Sequence, residues 1–143
     1  MLRAKHRRHR SAIFLVGIND LGRDQGLKII KDHDLLIELS FGEWEGHTMD
    51  EIELDHPGVD RERDAAKWDF CPPGDGAESY EMLASRIDRF LETVTGPSVI
   101  VAHGGVIRAL FNRIGGIDGN AAAMIDVPQD RILRIENGRI GWL

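Results

Sequence analysis

Val99-Ile100-Val101-Ala102 is an apolar, largely β-branched run without polar alternation, and His103-Gly104-Gly105 stops it abruptly. A strand of that composition is one covered on both faces, as in a parallel sheet flanked by helices. The flanking residues agree. Before it, Met82, Leu83, Ile87, Phe90, Leu91 and Val94 recur at helical spacing, while Glu81, Ser85, Asp88, Arg89 and Glu92 fall largely on the other side. This predicts an amphipathic helix from Ser79. Gly96, taking the left-handed conformation, and Pro97, unable to continue a helix, place its end near Thr95. After the strand, Val106 to Ile114 predicts a second helix. Helix, buried strand, glycine turn and helix constrain the chain to a layered α/β fold, with a mainly parallel central sheet between helices.

The remaining segments fit one such domain over residues 1–143. Ile132 to Ile135 and Ile140 to Leu143 flank Glu136-Asn137-Gly138-Arg139, where Asn-Gly favours a type I′ turn, so the chain is expected to end in a β-hairpin. The acidic stretch from Glu43 to Asp69, with Trp44, Ile52, Leu54 and Trp68 among its charges, predicts a helical insertion over the sheet. Cys71-Pro72-Pro73-Gly74-Asp75-Gly76 follows as a loop.

Charge is unevenly distributed. The net value is −6, yet residues 1–10 hold five of the 18 Lys and Arg, leaving 13 against 24 Asp and Glu elsewhere, or −11. Arg3, Lys5, Arg7, Arg8 and Arg10 lack interleaved aromatics, and the acidic body would repel a polyanion. A solvated, disordered basic tail is expected rather than a nucleic-acid arm. Ile13-Phe14-Leu15-Val16 is too short for a signal peptide core, and no apolar run approaches the roughly 18 residues of a membrane span. Cys71, the single cysteine, excludes an internal disulfide. A cytoplasmic protein without membrane partners is the expectation.

Few residues can carry chemistry. His103 stands where a buried strand meets a glycine turn and a helix start, the position at which open α/β sheets bind ligands. Gly104 and Gly105 let a ligand approach the backbone, and the first amides of the next helix favour an anion such as phosphate. The plainer reading is a strand-end histidine bonded to a neighbour. Glu38 lies in the apolar run Leu35-Leu36-Ile37-Glu38-Leu39. Burial or a neighbouring phosphate would keep such a carboxyl protonated and able to donate to a leaving oxygen. Equally, it reads as a strand residue facing solvent. Arg23 could grip phosphate oxygens but is by itself an ordinary surface arginine. His6 and His9 belong to the basic tail.

Three segments, in order, resemble the histidine phosphatase (phosphoglycerate-mutase-like) superfamily. Glu38-Leu39-Ser40-Phe41-Gly42-Glu43-Trp44-Glu45-Gly46 resembles its Glu-x-x-x-Gly-x-Trp-Glu-Gly signature, and Val99 to Gly105 resembles its second-histidine motif. Pro72-Pro73-Gly74 through Glu78-Ser79-Tyr80 resembles the Gly-Glu-Ser loop between them, with Ala77 and two extra residues departing from it. Val127-Pro128-Gln129-Asp130 and Trp142 are also similar to family members. The resemblance covers roughly residues 34 to 143. It implies hydrolysis of a small phosphate monoester, or phosphoryl transfer, through phosphohistidine. By it, His103 with Gly104 holds the phosphoryl group and Glu38 gives the leaving alcohol its proton. Arg23, in Leu21-Gly22-Arg23, matches the family's arginine segment, with Asn19-Asp20 in place of Ser-Pro. No metal or other cofactor is implied.

The chain departs from the family at its start. The family's nucleophile lies in an Arg-His-Gly motif after a first strand, whereas Arg8-His9-Arg10 has neither a preceding apolar strand nor a following glycine. Without that central strand, a buried neighbour would expose unpaired N–H and C=O groups. Three remedies are open. Ile13 to Ile18 supplies a replacement strand, a second copy of the chain pairs there as a homodimer, or the start is non-native and the chain a truncated member. A phosphate-ester-binding pseudoenzyme is therefore the alternative to an active phosphatase.

Overall fold

The computed structural model of this chain describes the strand backbone of Ser11–Val16 and residues 28–143. Within these, strands β1 (Ser11–Val16), β2 (Lys28–Ile30), β3 (Ser98–His103), β4 (Ile132–Glu136) and β5 (Arg139–Trp142) form one sheet in the order β2-β3-β1-β4-β5. Helices α1 (Met49–Asp55), α2 (Val59–Ala65), α3 (Tyr80–Thr93), α4 (Gly104–Arg113) and α5 (Gly119–Ala123) complete an α/β architecture. Among the described residues no helix is long and apolar enough to cross a membrane.

The replacement strand is present. β1 lies between β3 and β4, with Ser11 opposite His103 and Val16 opposite Ser98. It runs antiparallel to β3 and parallel to β4, while β2 is parallel to β3 and β5 antiparallel to β4. The sheet is thus mixed rather than mainly parallel, because the gap beside β3 is filled by a strand of reversed direction. Either direction pairs the N–H and C=O groups of both neighbours, so the ladder alone does not fix it.

Local chemistry accounts for most element ends. Ser79 caps α3 by accepting the Met82 amide at 3.2 Å. Thr48 and Glu51 form a reciprocal capping box on α1. The Glu53 carboxylate crosses to the start of α2 and accepts the Asp60 amide at 3.0 Å. That bond, followed by the Gly58 amide, holds the Glu53 carboxyl below its usual range. The final hairpin turns through Asn137 and Gly138, both at positive φ (50° and 72°), as expected for Asn-Gly.

Two expectations need correction. α3 stops at Thr93 with Val94 as its cap, and Gly96 is not among the glycines at positive φ; the extended Val94 ends the helix earlier. β3 is not sealed on both faces: Ser98, Ile100 and Ala102 are buried, while Val99, Val101 and His103 are only half-buried. The buried face packs under α3 and α4, where Leu83, Ile87, Phe90, Val106, Ile107 and Leu110 are fully inaccessible, as is Leu133 of β4. Each such side chain contributes about 1.5–3 kcal/mol by leaving water.

Candidate functional site

β3 passes into α4 without an intervening loop: His103 is the cap residue, and Gly104 and Gly105 form the first turn. The expected glycine turn is therefore helical. The Gly105 amide of α4 points at Glu38, whose segment is irregular backbone after the short 3-10 turn Asp34–Leu36, not strand. The half-buried Glu38 carboxylate accepts the Leu39 amide at 2.9 Å and the Gly105 amide at 3.1 Å through Oε1. Oε2 stands 3.4 Å from the Gly105 nitrogen. The His103–Glu38 pair expected from the sequence is thus brought together at the carboxyl end of β3.

Gly105 is required by this approach. A Cβ there would overlap Glu38 Oε1 and sit 3.2 Å from Leu83 Cδ2. Gly104 is open by comparison, its nearest neighbour being Arg108 Nη1 at 3.8 Å. One anion, the Glu38 carboxylate, already occupies part of the helix terminus at which phosphate was expected.

Glu38 borders two depressions. A groove of about 370 Å³ lies between Ile37, Glu38, Leu39, Ser40, Glu45 and His103. A cavity of about 430 Å³ opens on its other side, past Gly104 and Gly105, toward Arg63, Lys67 and Arg108. Arg108 is held by the Ile125 carbonyl at 2.9 Å and the Tyr80 hydroxyl at 3.3 Å. Lys67 points its ammonium at Met124 Sδ, 3.2 Å away. Burial first, and the Arg63 charge second, hold that ammonium below its usual range.

A comparison of sequences decides the family. The model of the histidine phosphatase superfamily (branch 1) matches residues 18–142. The chain belongs to the histidine phosphatase superfamily. It is similar to 6-phosphofructo-2-kinase 1 of Saccharomyces cerevisiae, with 32% identity over 102 residues, covering 69% of this chain and 12% of that protein. The chain therefore spans a small part of the length of this curated relative. Among solved structures it is similar to the native mycobacterial glucosyl-3-phosphoglycerate phosphatase, at TM-score 0.57 and 18% identity, covering 82% of this chain and 84% of that one. It is also similar to the same phosphatase in complex with inorganic phosphate (TM-score 0.54, 21% identity, 82% and 84% covered). A mycobacterial hydrolase shows the same likeness at TM-score 0.54 and 20% identity, covering 82% of this chain and 86% of that one.

Arg23, His6 and His9 lie outside the described residues, so the expectation that Arg23 joins His103 has no counterpart among them. Several supporting residues escaped the sequence reading. Arg86, buried on the apolar side of α3, donates to the carbonyls of Leu35 at 2.8 Å and Ile37 at 2.9 Å, the segment that leads into Glu38. Its remaining nitrogens grip Glu78, whose amide in turn donates to the Ser40 carbonyl at 3.0 Å. The signal was available in its spacing, since Arg86 falls between Leu83 and Ile87 on the helix face that the apolar residues define.

The acidic insertion is helical as expected, but it borders the cavity rather than roofing the sheet. Trp68 anchors its end: the ring stacks on Tyr80 with centroids 5.8 Å apart, Nε1 donates to Glu81 at 2.6 Å, and the backbone amide donates to Asn120 Oδ1 at 3.0 Å. That anchor carries Lys67 to the cavity wall.

Proposed function

We propose that the His103–Glu38 end of the sheet binds the phosphoryl group of a phosphate monoester, and that the protein hydrolyses the ester or transfers its phosphoryl group through phosphohistidine. The observation that carries this reading is the position of Glu38, whose carboxylate is shared by the His103 groove and the larger cavity. A phosphoryl group docked beside His103 leaves the ester oxygen near Glu38 and the alcohol portion in the cavity. Oε1 takes the two shorter amide bonds, which leaves Oε2, with its longer 3.4 Å contact to the Gly105 amide, as the oxygen to carry a proton.

In the proposed reaction a neutral histidine nitrogen bonds to phosphorus while the ester P–O bond breaks. The electron pair leaves with the alcohol oxygen, which takes the proton from Glu38. Water then attacks phosphorus, the P–N bond breaks, and the proton of water returns to the Glu38 carboxylate. In this reading His103 and Arg23 stabilise the charge on the transferring oxygens. The structurally similar phosphatase solved with inorganic phosphate supports a phosphate ligand.

A second reading is favoured by one observation: among the described residues, His103 is the only histidine lining either depression. Attack by one histidine while another binds the phosphoryl group needs two. With one, the site is a phosphate-ester-binding pocket without turnover.

A para-nitrophenyl phosphate assay beside His103→Ala, with trapping of an acid-labile phosphoenzyme, separates the readings. Turnover lost in the variant, with phosphate on a histidine, supports catalysis. Absence of turnover with retained phosphate binding supports the pocket, and absence of both overturns the proposal.

A further inference from the structure

The backbone on either side of Glu38 is held by one charged pair. Glu38 stands in irregular backbone, and the side chain of Ile37 before it is exposed, so neither a strand ladder nor packing at Ile37 directs the Ile37–Glu38 peptide. Arg86 directs it instead. Its Nη1 donates to the Leu35 carbonyl at 2.8 Å and to the Ile37 carbonyl at 2.9 Å, the second belonging to the peptide that opens Glu38. On the far side, Glu78 engages both backbone groups of Ser40. Its amide donates to the Ser40 carbonyl at 3.0 Å, and its Oε2 stands 3.4 Å from the Ser40 nitrogen as acceptor. Arg86 and Glu78 join each other at 3.0 and 2.7 Å, so the held peptides before and after Glu38 share one support.

Stability alone gives no reason for this pair. Arg86 is buried, and apolar side chains of similar volume often stabilise a core as well as a buried ion pair does. What an apolar side chain lacks is direction. A planar guanidinium presents its donors in a fixed fork and can aim two carbonyls while it grips a carboxylate.

The same helix also sets the opposite wall. Leu83, one turn before Arg86 on α3, lies against Gly105, whose Cβ would sit 3.2 Å from Leu83 Cδ2. α3 thus holds the Glu38 backbone through Arg86 and borders Gly105 through Leu83, and the Glu38 carboxylate spans the two, 3.1 Å from the Gly105 nitrogen.

We infer that Arg86 and Glu78 are positioning residues for the reaction: without touching the ester, they hold the Glu38 carboxyl where it protonates the leaving oxygen. Their role rests on the reading of Glu38 as that proton donor. Misplacement of a reacting group by about 1 Å costs on the order of 10²-fold in rate, so a support of this kind acts on kcat more than on binding. Its loss falls hardest on esters whose alcohol leaves only with a proton.

The test uses two variants of the whole chain. Arg86→Lys keeps the charge beside Glu78 but cannot aim two carbonyls, and Glu78→Gln keeps the shape but removes the charge from the pair. In both, kcat for propyl phosphate is expected to fall about tenfold or more, with KM changed about twofold or less. Turnover of para-nitrophenyl phosphate, whose leaving group needs little protonation, is expected to fall about threefold or less. The Gly105 amide resonance, which reports the carboxylate that accepts it, is expected to move in both variants toward its position in Glu38→Gln. The Leu110 amide of α4 should not move.

Equal losses on the two esters, or an unmoved Gly105 resonance, would overturn the positioning role and leave Glu38 standing as proton donor. Absence of turnover by the wild type on both esters would overturn the proton donor, and the positioning role with it. Should neither variant fold, hydrogen exchange on the unaltered protein decides. The Leu39, Ser40 and Gly105 amides, each bonded to the carboxylate of Glu38 or Glu78, are expected to exchange within about tenfold of the middle of α3. Exchange as fast as in an unfolded chain would overturn the positioning role.

Discussion

Arg86 grips Glu78 with two hydrogen bonds, 3.0 Å from Nε to Oε1 and 2.7 Å from Nη2 to Oε2, on a helix face that is otherwise apolar. The same guanidinium bonds the carbonyls on either side of Leu36 through Nη1. One buried side chain therefore ties the Glu78 loop and the Glu38 segment to α3. Arg86→Met leaves Glu78 and two carbonyls without their donor, and a loss of about 3 kcal/mol is expected by urea denaturation, the cost of breaking a buried pair. Loss below about 0.5 kcal/mol would mean that the pair contributes no more than an exposed one.

Gly105 and Gly104 should respond oppositely to alanine. The Cβ of Gly105→Ala meets Glu38 Oε1 and Leu83, so a cost of about 1–3 kcal/mol is expected from overpacking, together with weaker phosphate binding as Glu38 is displaced. Gly104→Ala has room and gains helix propensity, which predicts unchanged stability or a gain of up to about 1 kcal/mol. Thermal denaturation of the two variants side by side checks the ordering.

Glu38→Gln keeps an oxygen for the Gly105 amide but has no transferable proton. If the site turns over, hydrolysis of alkyl phosphates is expected to fall about 10²-fold or more, while para-nitrophenyl phosphate, whose leaving group needs little protonation, falls less. Equal losses on both esters would count against a proton-donor role.

Glu81 links the insertion to α4. Its hydrogen bond from Arg113, followed by that from Trp68, holds the carboxyl below its ordinary value of 4.5. Because the folded value is depressed, this contribution is present above the unfolded value and is lost as pH falls through the folded one. Wild type should lose stability relative to Glu81→Gln as pH drops below 4.5. The difference should stay under about 1 kcal/mol because the carboxylate is half exposed. Denaturation midpoints at neutral and acid pH measure it, and parallel pH curves for the two proteins would contradict it.

Much of this was legible in the residues. The periodicity of Leu83, Ile87 and Phe90, the Ser79 cap and the Asn137-Gly138 turn each have a local cause, and local causes survive into the fold. His103 and Glu38 stood out by their contexts, and the two border one groove at the end of β3. The direction of β1 was not legible, because an apolar run pairs equally well either way. Nor was the role of Arg86, whose acceptors lie 51 and 49 residues away in sequence. Lys67 and Arg108 carry no local signal in the sequence, and both line one cavity only through the fold.

The account stands on a phosphoryl site at His103, and orthovanadate binding to wild type and His103→Ala tests it most directly. Titration calorimetry at neutral pH should show saturable binding to wild type and a loss of about tenfold or more in the variant, the expected effect of removing a charge-assisted donor. Equal affinity in the two proteins, with the variant still folded by circular dichroism, would contradict a site at His103.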